Sequence, residues 1–316
     1  MLDHEKIKWS HLLWALVFMV LGKVNVIGEN ESKHPNQPYS DKPDTFWTYK
    51  TIDGKSLKMS IFLPGGYGEG KSFPTFVVFH GGSWRTGEPS WHYPDCAYWR
   101  SRGMVAVSVQ YRLKDIDKIK VPLECVKDAK SAVRYLRKNA ERLKVNPEKI
   151  VVAGGSAGGQ LAAAVATIVD PLVNHEDDDL KVSCVPNAVI LYNPYFKCQP
   201  SLSPSKHINK DLPPMITFLG SEDHAITIES LLEFHGNLKK HGNVSEFYVG
   251  NGGKHGFCNG RNPYNQFFYW SIDLTDRFLV KQGILHEASI PMLEKGFEAI
   301  DKKLRKLREA EYQSFL

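Results

Sequence analysis

The sequence offers little support for metal, nucleotide or nucleic-acid binding. Its five cysteines lie far apart and form no Cys-x-x-Cys pair, so neither a zinc site nor thioredoxin-like redox chemistry is indicated. The glycine-rich run at 154–159 lacks the Lys-Ser/Thr pair that ends a phosphate-binding loop. The formal net charge of +5 is small for 316 residues. The local excess of cations at 302–308 alternates with apolar residues, which is typical of the solvent face of a helix and not of a nucleic-acid patch.

Long apolar runs are also scarce, and the clearest one lies near the N-terminus. Lys6 and Lys8 precede an apolar run at 12–21, which is typical of a secretory signal and too short to span a bilayer comfortably. We therefore predict a signal peptide at 1–28 and a flexible polar leader at 29–44. The predicted protein is secreted or periplasmic, with no stable membrane insertion after processing. An uncleaved anchor and a buried helix remain alternatives for the same segment.

Two of the cysteines are candidates for a disulfide bond, because export would permit disulfides. Cys184 and Cys198 flank an apolar segment at 188–192 and could pair. The odd number of cysteines leaves at least one free thiol within the chain.

The middle of the chain alternates between apolar strands and amphipathic helices. Two segments of alternating polarity, at 45–52 and 57–63, flank Asp53-Gly54, which predicts a β-hairpin. From residue 75 on, the pattern predicts an α/β fold with right-handed crossovers and a mostly parallel central sheet covered by helices on both faces. The predicted strands are 75–79, 104–110, 149–153, 188–192, 215–219 and 245–249, and the predicted helices lie near 90–102, 122–143, 157–168 and 226–240.

Three segments lie outside this alternation. Residues 193–214 are rich in proline and show no helical period, so they are predicted to form a small cap of loops over the site. Residues 282–316 are predicted to form a C-terminal helical extension that packs on the domain or on a second copy in a homo-oligomer. The acidic triplet at 177–179 lacks the glycine and glutamate spacing of a calcium loop, so a calcium site is disfavoured.

A serine between glycines is the most informative single motif. Residues 154–159 read Gly-Gly-Ser-Ala-Gly-Gly and lie between an apolar strand and a helix-prone segment. This pattern fits a sharp strand-to-helix turn that presents Ser156 as a nucleophile near a helix N-terminus. An ordinary glycine-rich connection is the alternative interpretation.

A second glycine-containing loop follows the predicted strand at 75–79. It reads His80-Gly81-Gly82-Ser83-Trp84, and paired glycines allow backbone N–H groups to point into a cavity. The amides of Gly81, Gly82 and Ala157 are therefore candidate donors to an oxyanion. His80 is expected to organise this loop and not to carry protons.

The candidate acid and base come later in the chain. Asp223 follows the predicted strand at 215–219, and His255 stands between glycines after the last predicted strand. Glu222 competes with Asp223 for the role of the acid, and the spacing from Gly220 favours Asp223. The order serine, acid, histidine is the order of an α/β-hydrolase.

The sequence resembles the α/β-hydrolase superfamily, and within it the esterase/lipase group that contains hormone-sensitive-lipase-like enzymes and acetylxylan and feruloyl esterases. The similarity runs from about residue 45 to 281, the predicted catalytic domain. Besides the motifs above, it rests on Tyr111-Arg112-Leu113, Asp128-Ala129, 146–150, Tyr192-Asn193-Pro194, 203–208 and His255-Gly256-Phe257. Gln110, Gln160 and His224 depart from the residues common in the family, and the last two could change the shape and polarity of the site.

The resemblance implies a serine carboxylesterase that acts through an acyl-enzyme, with Ser156 as nucleophile, His255 as general base and Asp223 as its partner. It implies no metal and no organic cofactor. The implied substrate is a small ester or an esterified oligosaccharide that carries acetyl or feruloyl groups. A general short-chain esterase or lipase is the alternative, and a peptidase or a non-catalytic binding relative is disfavoured.

Aromatic residues in the loops are candidates for substrate contact, because flat apolar faces stack on sugar rings and aryl groups. We assign this role to Trp84, beside the oxyanion loop, and to Tyr195. The same loops contain Trp91, His92, Tyr93 and Phe196.

Overall fold

A computed structural model describes residues 42–262 and 265–288. The predicted signal peptide at 1–28, most of the predicted leader at 29–44 and the predicted C-terminal extension from residue 289 on lie outside the described residues. Within the described part of the chain, no helix has both the length and the apolar character needed to cross a membrane.

An eight-stranded sheet forms the centre of the described structure, in the order β1-β2-β4-β3-β5-β6-β7-β8. Strands β1 and β2 form the predicted hairpin, and β2 also pairs antiparallel with β4. From β4 to β8 all neighbours are parallel, so the predicted mostly parallel sheet is confirmed. The strands are β1 Thr45–Ile52, β2 Lys55–Phe62, β3 Phe73–Phe79, β4 Val105–Val109, β5 Val145–Gly155, β6 Ala188–Tyr192, β7 Met215–Gly220 and β8 Ser245–Gly250.

Helices cover both faces of this sheet. Because successive side chains of a strand point to opposite faces, Val77 and Phe79 of β3 join one core while Phe76 and Val78 join the other. The first core contains α2, α3 and part of α4, and the second contains α1 and α5. The helices are α1 Tyr93–Ser101, α2 Leu123–Lys138, α3 Ala157–Thr167, α4 Ile228–Lys240 and α5 Gln266–Lys281. Shorter helical turns are Pro89–His92, Lys114–Asp117, Pro171–Val173, Pro200–Leu202 and Pro204–Lys206.

Helix α5 has no counterpart among the predicted elements. Its buried residues include Asp273 and Asp276 beside Trp270 and Ile272, so two carboxylates lie on the face that it turns to the core. Asp276 is buried because it accepts hydrogen bonds from the guanidinium of Arg102 and from the Tyr98 hydroxyl. A buried carboxylate with such partners can lie in a core.

Cys184 and Cys198, the candidates for a disulfide bond, do not pair. All five cysteines are free thiols, and Cys184 is buried near the carbonyl of Val165. The acidic triplet is engaged in ion pairs, because Asp178 contacts Arg134 at 3.0 Å and Asp179 contacts Lys138 at 3.1 Å.

Candidate active site

The turn between β5 and α3 presents Ser156 in a backbone conformation that few serines adopt. Its φ is 54° and its ψ is −115°, a strained geometry that is typical of a nucleophile at a strand-to-helix turn. The strand and helix approach so closely that a Cβ on Gly158 would lie 2.0 Å from the carbonyl oxygen of Phe79. Only glycine fits at this position, which explains the glycine two residues after the serine.

The loops after β7 and β8 carry the candidate acid and base. These two loops touch at glycines, since a Cβ on Gly220 would lie 2.1 Å from the carbonyl oxygen of Gly253. The Asp223 carboxylate is fully buried and accepts hydrogen bonds from the backbone amides of Ala225 and Ile226 at 2.8 and 3.0 Å. These amides leave its second oxygen to face the imidazole of His255.

A continuous chain of hydrogen bonds joins the three side chains. His255 Nδ1 lies 2.8 Å from Asp223 Oδ2, and His255 Nε2 lies 2.9 Å from Ser156 Oγ. With Nδ1–H donating to the carboxylate, Nε2 is the acceptor for the serine proton, which is the arrangement that activates a hydroxyl. Glu222, the competing acid, is exposed and its backbone amide donates to Gly253.

The loop after β3 lies directly against the serine. A Cβ on Gly81 would lie 3.4 Å from Ser156 Cβ, and Gly82 adopts a φ of 107°. In the described part of the chain, the amides of Gly81, Gly82 and Ala157 donate to no protein acceptor. Three unpaired amides around a serine can stabilise a negative charge that develops on a bound carbonyl oxygen.

His80 holds this loop in place. It is buried, its Nδ1 contacts the Gly81 carbonyl at 2.7 Å, and its ring stacks on Tyr111 at 4.3 Å. The Tyr111 hydroxyl donates to the His80 carbonyl at 2.7 Å. Burial lowers the pKa of His80 to about 4, so its imidazole stays neutral at physiological pH and acts by packing and hydrogen bonding.

We expect the buried imidazoles to destabilise the protein at mildly acidic pH. Burial lowers the pKa of His235 to about 3 as well, whereas both histidines titrate near 6.5 in the unfolded chain. As the pH falls below about 6.5, the unfolded state binds protons that the folded state excludes. The free energy of unfolding should therefore fall by about 2 to 4 kcal/mol between about pH 7 and pH 5, as measured by urea denaturation.

A variant with one of these imidazoles removed isolates the effect. His235 stacks on Phe247 at 5.1 Å and contacts the hydroxyl of Ser245, far along the chain from the loop of His80. His235→Phe retains an aromatic ring there and should reduce the dependence of stability on pH by about half. An unchanged pH dependence in this variant contradicts the expectation.

A cavity of about 290 Å³ opens above Ser156. Its lining combines the loop after β3 with residues from the loops after β6 and β8 and from the turn before α1. The lining residues are Gly81, Gly82, Ser83, Trp91, His92, Gly155, Ser156, Tyr192, Asn193, His255, Gly256, Cys258, Asn259 and Arg261.

Trp84 and Tyr195 do not line this cavity, so their assignment to substrate contact is corrected. Trp84 is only 7% exposed, and its indole N–H donates to Gln160 Oε1 at 3.1 Å. Positive φ angles at Ser83 and Trp84 turn the chain so that the indole enters the core. Tyr195 makes an edge contact with Trp84 and lines a separate cavity of about 140 Å³ with Phe196.

Other residues take the positions that were expected for these aromatics. Trp91 and His92, which the sequence places in the same group of loops, do line the cavity, and His92 Nδ1 lies 3.2 Å from the buried carboxylate of Asp95. Asn193, Asn259 and Arg261 were not identified from the sequence. The Tyr192-Asn193-Pro194 motif is the one signal that could have pointed to Asn193, because it follows a strand that ends beside Ser156.

Groups able to hold a metal ion are scarce in the described residues. Within 42–262 and 265–288, only His175, Glu176 and Asp177 offer three ligand atoms within 4.8 Å of one another, and they lie in the loop after α3, apart from the cavity. Because exposed acidic groups are common without a metal ion, this cluster supports no metal site.

The chain resembles known esterases in sequence and in structure. A family described as BD-FAE matches residues 59–185. Esterase 2 of Thermogutta terrifontis, in a structure in which it is phosphonylated by cyclosarin, is 36% identical, with a TM-score of 0.73. The match covers 77% of this chain and 96% of that esterase. A propionate-bound structure of the same esterase is 35% identical, covers 78% and 96% of the two chains, and has a TM-score of 0.74.

Curated relatives match over shorter segments. Carboxylesterase NlhH of Mycobacterium tuberculosis is 34% identical over 98 residues, which is 31% of this chain and 30% of NlhH. Endo-1,4-beta-xylanase B of Butyrivibrio fibrisolvens is 23% identical over 192 residues, which is 54% of this chain and 30% of the xylanase. The chain thus spans about a third of the length of these curated relatives.

Proposed function

Since the chain belongs to the esterases of the α/β-hydrolase family, we propose that it is a carboxylesterase that removes acetyl or feruloyl groups from esterified carbohydrates. The observation that carries the proposal is the hydrogen-bonded chain from Ser156 through His255 to Asp223, which lies beneath a cavity beside three unpaired amides. Neither a metal ion nor an organic cofactor takes part in the proposed reaction.

In the first half of the reaction, Ser156 becomes acylated. Its Oγ attacks the ester carbonyl carbon while His255 Nε2 takes the hydroxyl proton, and the carbonyl π electrons move to oxygen. The amides of Gly81, Gly82 and Ala157 donate to that oxyanion. When the intermediate collapses, the bond to the leaving alcohol breaks and His255 gives its proton to the departing oxygen. The Asp223 carboxylate stabilises the imidazolium that exists between these two steps.

In the second half, a water molecule releases the acyl group. His255 accepts a proton from the water, whose oxygen attacks the acyl carbonyl and forms a second oxyanion at the same amides. Collapse of this intermediate breaks the bond to Ser156 Oγ, which regains its proton from His255. The products are a carboxylic acid and an alcohol.

The cavity lining supports a carbohydrate substrate. Sugar rings present apolar faces and many hydroxyl groups, so their sites combine aromatic rings with amide and guanidinium groups. Trp91, Asn193, Asn259 and Arg261 supply such groups around Ser156. The partial similarity to a bacterial xylanase points in the same direction.

A general short-chain carboxylesterase is the second candidate. The cavity of about 290 Å³ is at the small end for organic ligands, which suits a short acyl group. Structures of the Thermogutta esterase are described as propionate-bound and butyrate-bound. These observations fit simple esters as well as sugar acetates.

A panel of esters should separate the two candidates. We expect acetylated xylan and methyl ferulate to be cleaved along with para-nitrophenyl acetate, and para-nitrophenyl decanoate to be cleaved at least about tenfold less efficiently than the acetate, because a long acyl chain exceeds the cavity. The measurement is kcat/KM for each ester. Comparable values for acetate and decanoate, with no cleavage of acetylated xylan or of methyl ferulate, would reject the carbohydrate assignment and leave the general esterase.

We also propose that the enzyme acts outside the cytoplasm. This proposal is supported by the apolar run at 12–21 behind Lys6 and Lys8, which is typical of a secretory signal. A homo-oligomer stays a proposal that rests on the amphipathic pattern of the C-terminal extension at 282–316.

A further inference from the structure

One wall of the cavity carries a single strong positive charge. The guanidinium of Arg261 lies over the ring of Trp91, with Cζ 5.0 Å from the ring centroid, and both residues line the cavity. A cation on the face of a tryptophan is attracted by the π electrons. Among the described residues the guanidinium of Arg261 donates to no hydrogen-bond acceptor, so its N–H groups remain available to a planar acceptor.

The loop of Arg261 is held by close packing and by hydrogen bonds. A Cβ on Gly260 would lie 2.7 Å from both Pro94 and Phe268, so the chain passes through a narrow gap at this point. The side-chain amide of Asn265 donates to the carbonyls of Phe257 and Asn259, each at 2.6 Å. These contacts place Arg261 against Trp91 without the help of a carboxylate.

No acidic side chain offsets this charge inside the cavity. In the described part of the chain, the residues that line the cavity include no aspartate or glutamate, and no carboxylate lies within ion-pair distance of Arg261. Other exposed arginines do face a carboxylate, as Arg85 faces Asp115 and Arg277 faces Asp273.

Two acids that contact residues of the cavity lining are already engaged. The carboxylate of Asp223 is hydrogen-bonded to His255, and the carboxylate of Asp95 is hydrogen-bonded to Nδ1 of His92. His92 Nε2 would lie 3.9 Å from a Cβ on Gly155, next to Ser156. The cavity therefore offers imidazole, amide and guanidinium groups but no free carboxylate.

We propose that Arg261, supported by Trp91, makes the enzyme selective for esters that carry a carboxylate group away from the scissile bond. The inference rests on the proposed esterase function and names a substrate class for it. A carboxylate can accept two parallel N–H bonds from the guanidinium edge, which neutral esters cannot match. In an ester of an acidic sugar, the carboxylate would lie in the alcohol part of the substrate. In a monoester of a dicarboxylic acid, it would lie in the acyl part.

Matched pairs of synthetic esters test the proposal. For the acyl side, the pair is the para-nitrophenyl monoester of glutaric acid and the corresponding neutral glutaramate. For the alcohol side, it is meta-carboxyphenyl acetate and meta-carbamoylphenyl acetate. We expect kcat/KM to favour the carboxylate by about tenfold in at least one pair, since a charge-assisted hydrogen bond contributes on this scale. The difference should lie mainly in KM and should shrink with added salt.

Variants of the arginine assign the preference. The preference is the kcat/KM of the anionic ester divided by that of its neutral partner. Arg261→Gln should lower this quotient to about one. Arg261→Lys should retain only part of the preference, because lysine lacks the planar guanidinium fork. Arg142→Gln removes an exposed arginine that contacts Tyr135 and Asn139, and should leave the ratio as in the wild type.

The outcomes distinguish this inference from the function beneath it. Neutral esters cleaved as well as anionic ones in both pairs, or a preference that survives Arg261→Gln, overturn the role of Arg261 and leave the esterase proposal standing. Failure to cleave any of the four esters overturns both.

Discussion

Replacing Ser156 with alanine is expected to lower kcat for ester hydrolysis by about five to six orders of magnitude. The three side chains work as a unit, so removing the nucleophile leaves only binding and the oxyanion donors to act on the ester. Ser156 is half-buried, and among the described residues His255 is the one side chain that its hydroxyl contacts. Its loss therefore removes little packing, and we expect the far-ultraviolet circular dichroism spectrum and the midpoint of unfolding to stay close to those of the wild type.

The control for this variant is a serine of similar chemistry outside the cavity. Ser183 is exposed, and its hydroxyl accepts a hydrogen bond from the amide of Val185. Ser183→Ala should retain the wild-type kcat for para-nitrophenyl acetate. Retention of more than about 1% of the wild-type kcat by Ser156→Ala would show that another group attacks the ester.

A covalent label gives a second measurement on the same variant. Paraoxon is an electrophile that an activated serine hydroxyl attacks in place of an ester. We expect one equivalent of paraoxon to label the wild-type enzyme, as detected by intact mass, and not to label Ser156→Ala. Labelling of the variant would place the reactive group elsewhere.

The predicted catalytic residues lie together because each belongs to a local motif with its own structural consequence. The turn at Ser156 needs a glycine on each side, because a Cβ on Gly154 would lie 2.2 Å from the carbonyl oxygen of Gly158 and a Cβ on Gly158 would lie 2.0 Å from that of Phe79. Asp223 and His255 follow parallel strands, and parallel strands bring their carboxyl ends to one edge of the sheet. Short-range chemistry and a regular topology were therefore enough to predict which side chains meet.

The walls of the cavity were harder to predict, because they depend on irregular backbone. Ser83 and Trp84 both adopt positive φ angles, which residues other than glycine rarely do. This turn of the backbone carries the indole of Trp84 into the core. Arg261 reaches the cavity only because Gly260 fits between Pro94 and Phe268. Neither the turn at Ser83-Trp84 nor the packing of Gly260 leaves a periodic or compositional signal in the sequence.

Replacing Asp128 with alanine is expected to be the most destabilising of the substitutions considered, lowering the free energy of unfolding by about 3 to 5 kcal/mol. The Asp128 side chain is fully buried, and its carboxylate accepts four polar contacts. Arg112 donates from its backbone amide at 3.0 Å, from Nε at 2.9 Å and from Nη2 at 2.9 Å, and Lys50 Nζ lies 3.7 Å away. Without the Asp128 carboxylate, the largely buried guanidinium of Arg112 loses its main partner.

The control is an aspartate whose ion pair is exposed to solvent. Asp115 contacts Arg85 at 3.2 Å, and the two side chains are 41% and 55% exposed. Because solvent weakens such pairs, Asp115→Ala should cost no more than about 1 kcal/mol. The measurement for both variants is equilibrium unfolding in urea, and Asp128→Asn, which keeps an acceptor of the same shape, serves if the alanine variant does not fold.

The position of Asp128 predicts that its loss reaches the catalytic loop as well. Arg112 follows Tyr111, whose hydroxyl holds the carbonyl of His80 beside Gly81. Two residues further on, the amide of Lys114 donates to the carbonyl of Trp84 at 2.9 Å, so the chain after β4 supports the oxyanion loop from both ends. We therefore expect Asp128→Asn to lower kcat for para-nitrophenyl acetate more than KM, under conditions where the variant is still folded. A folded variant with the wild-type kcat would show that the buried ion pair supports the fold but not the geometry of the site.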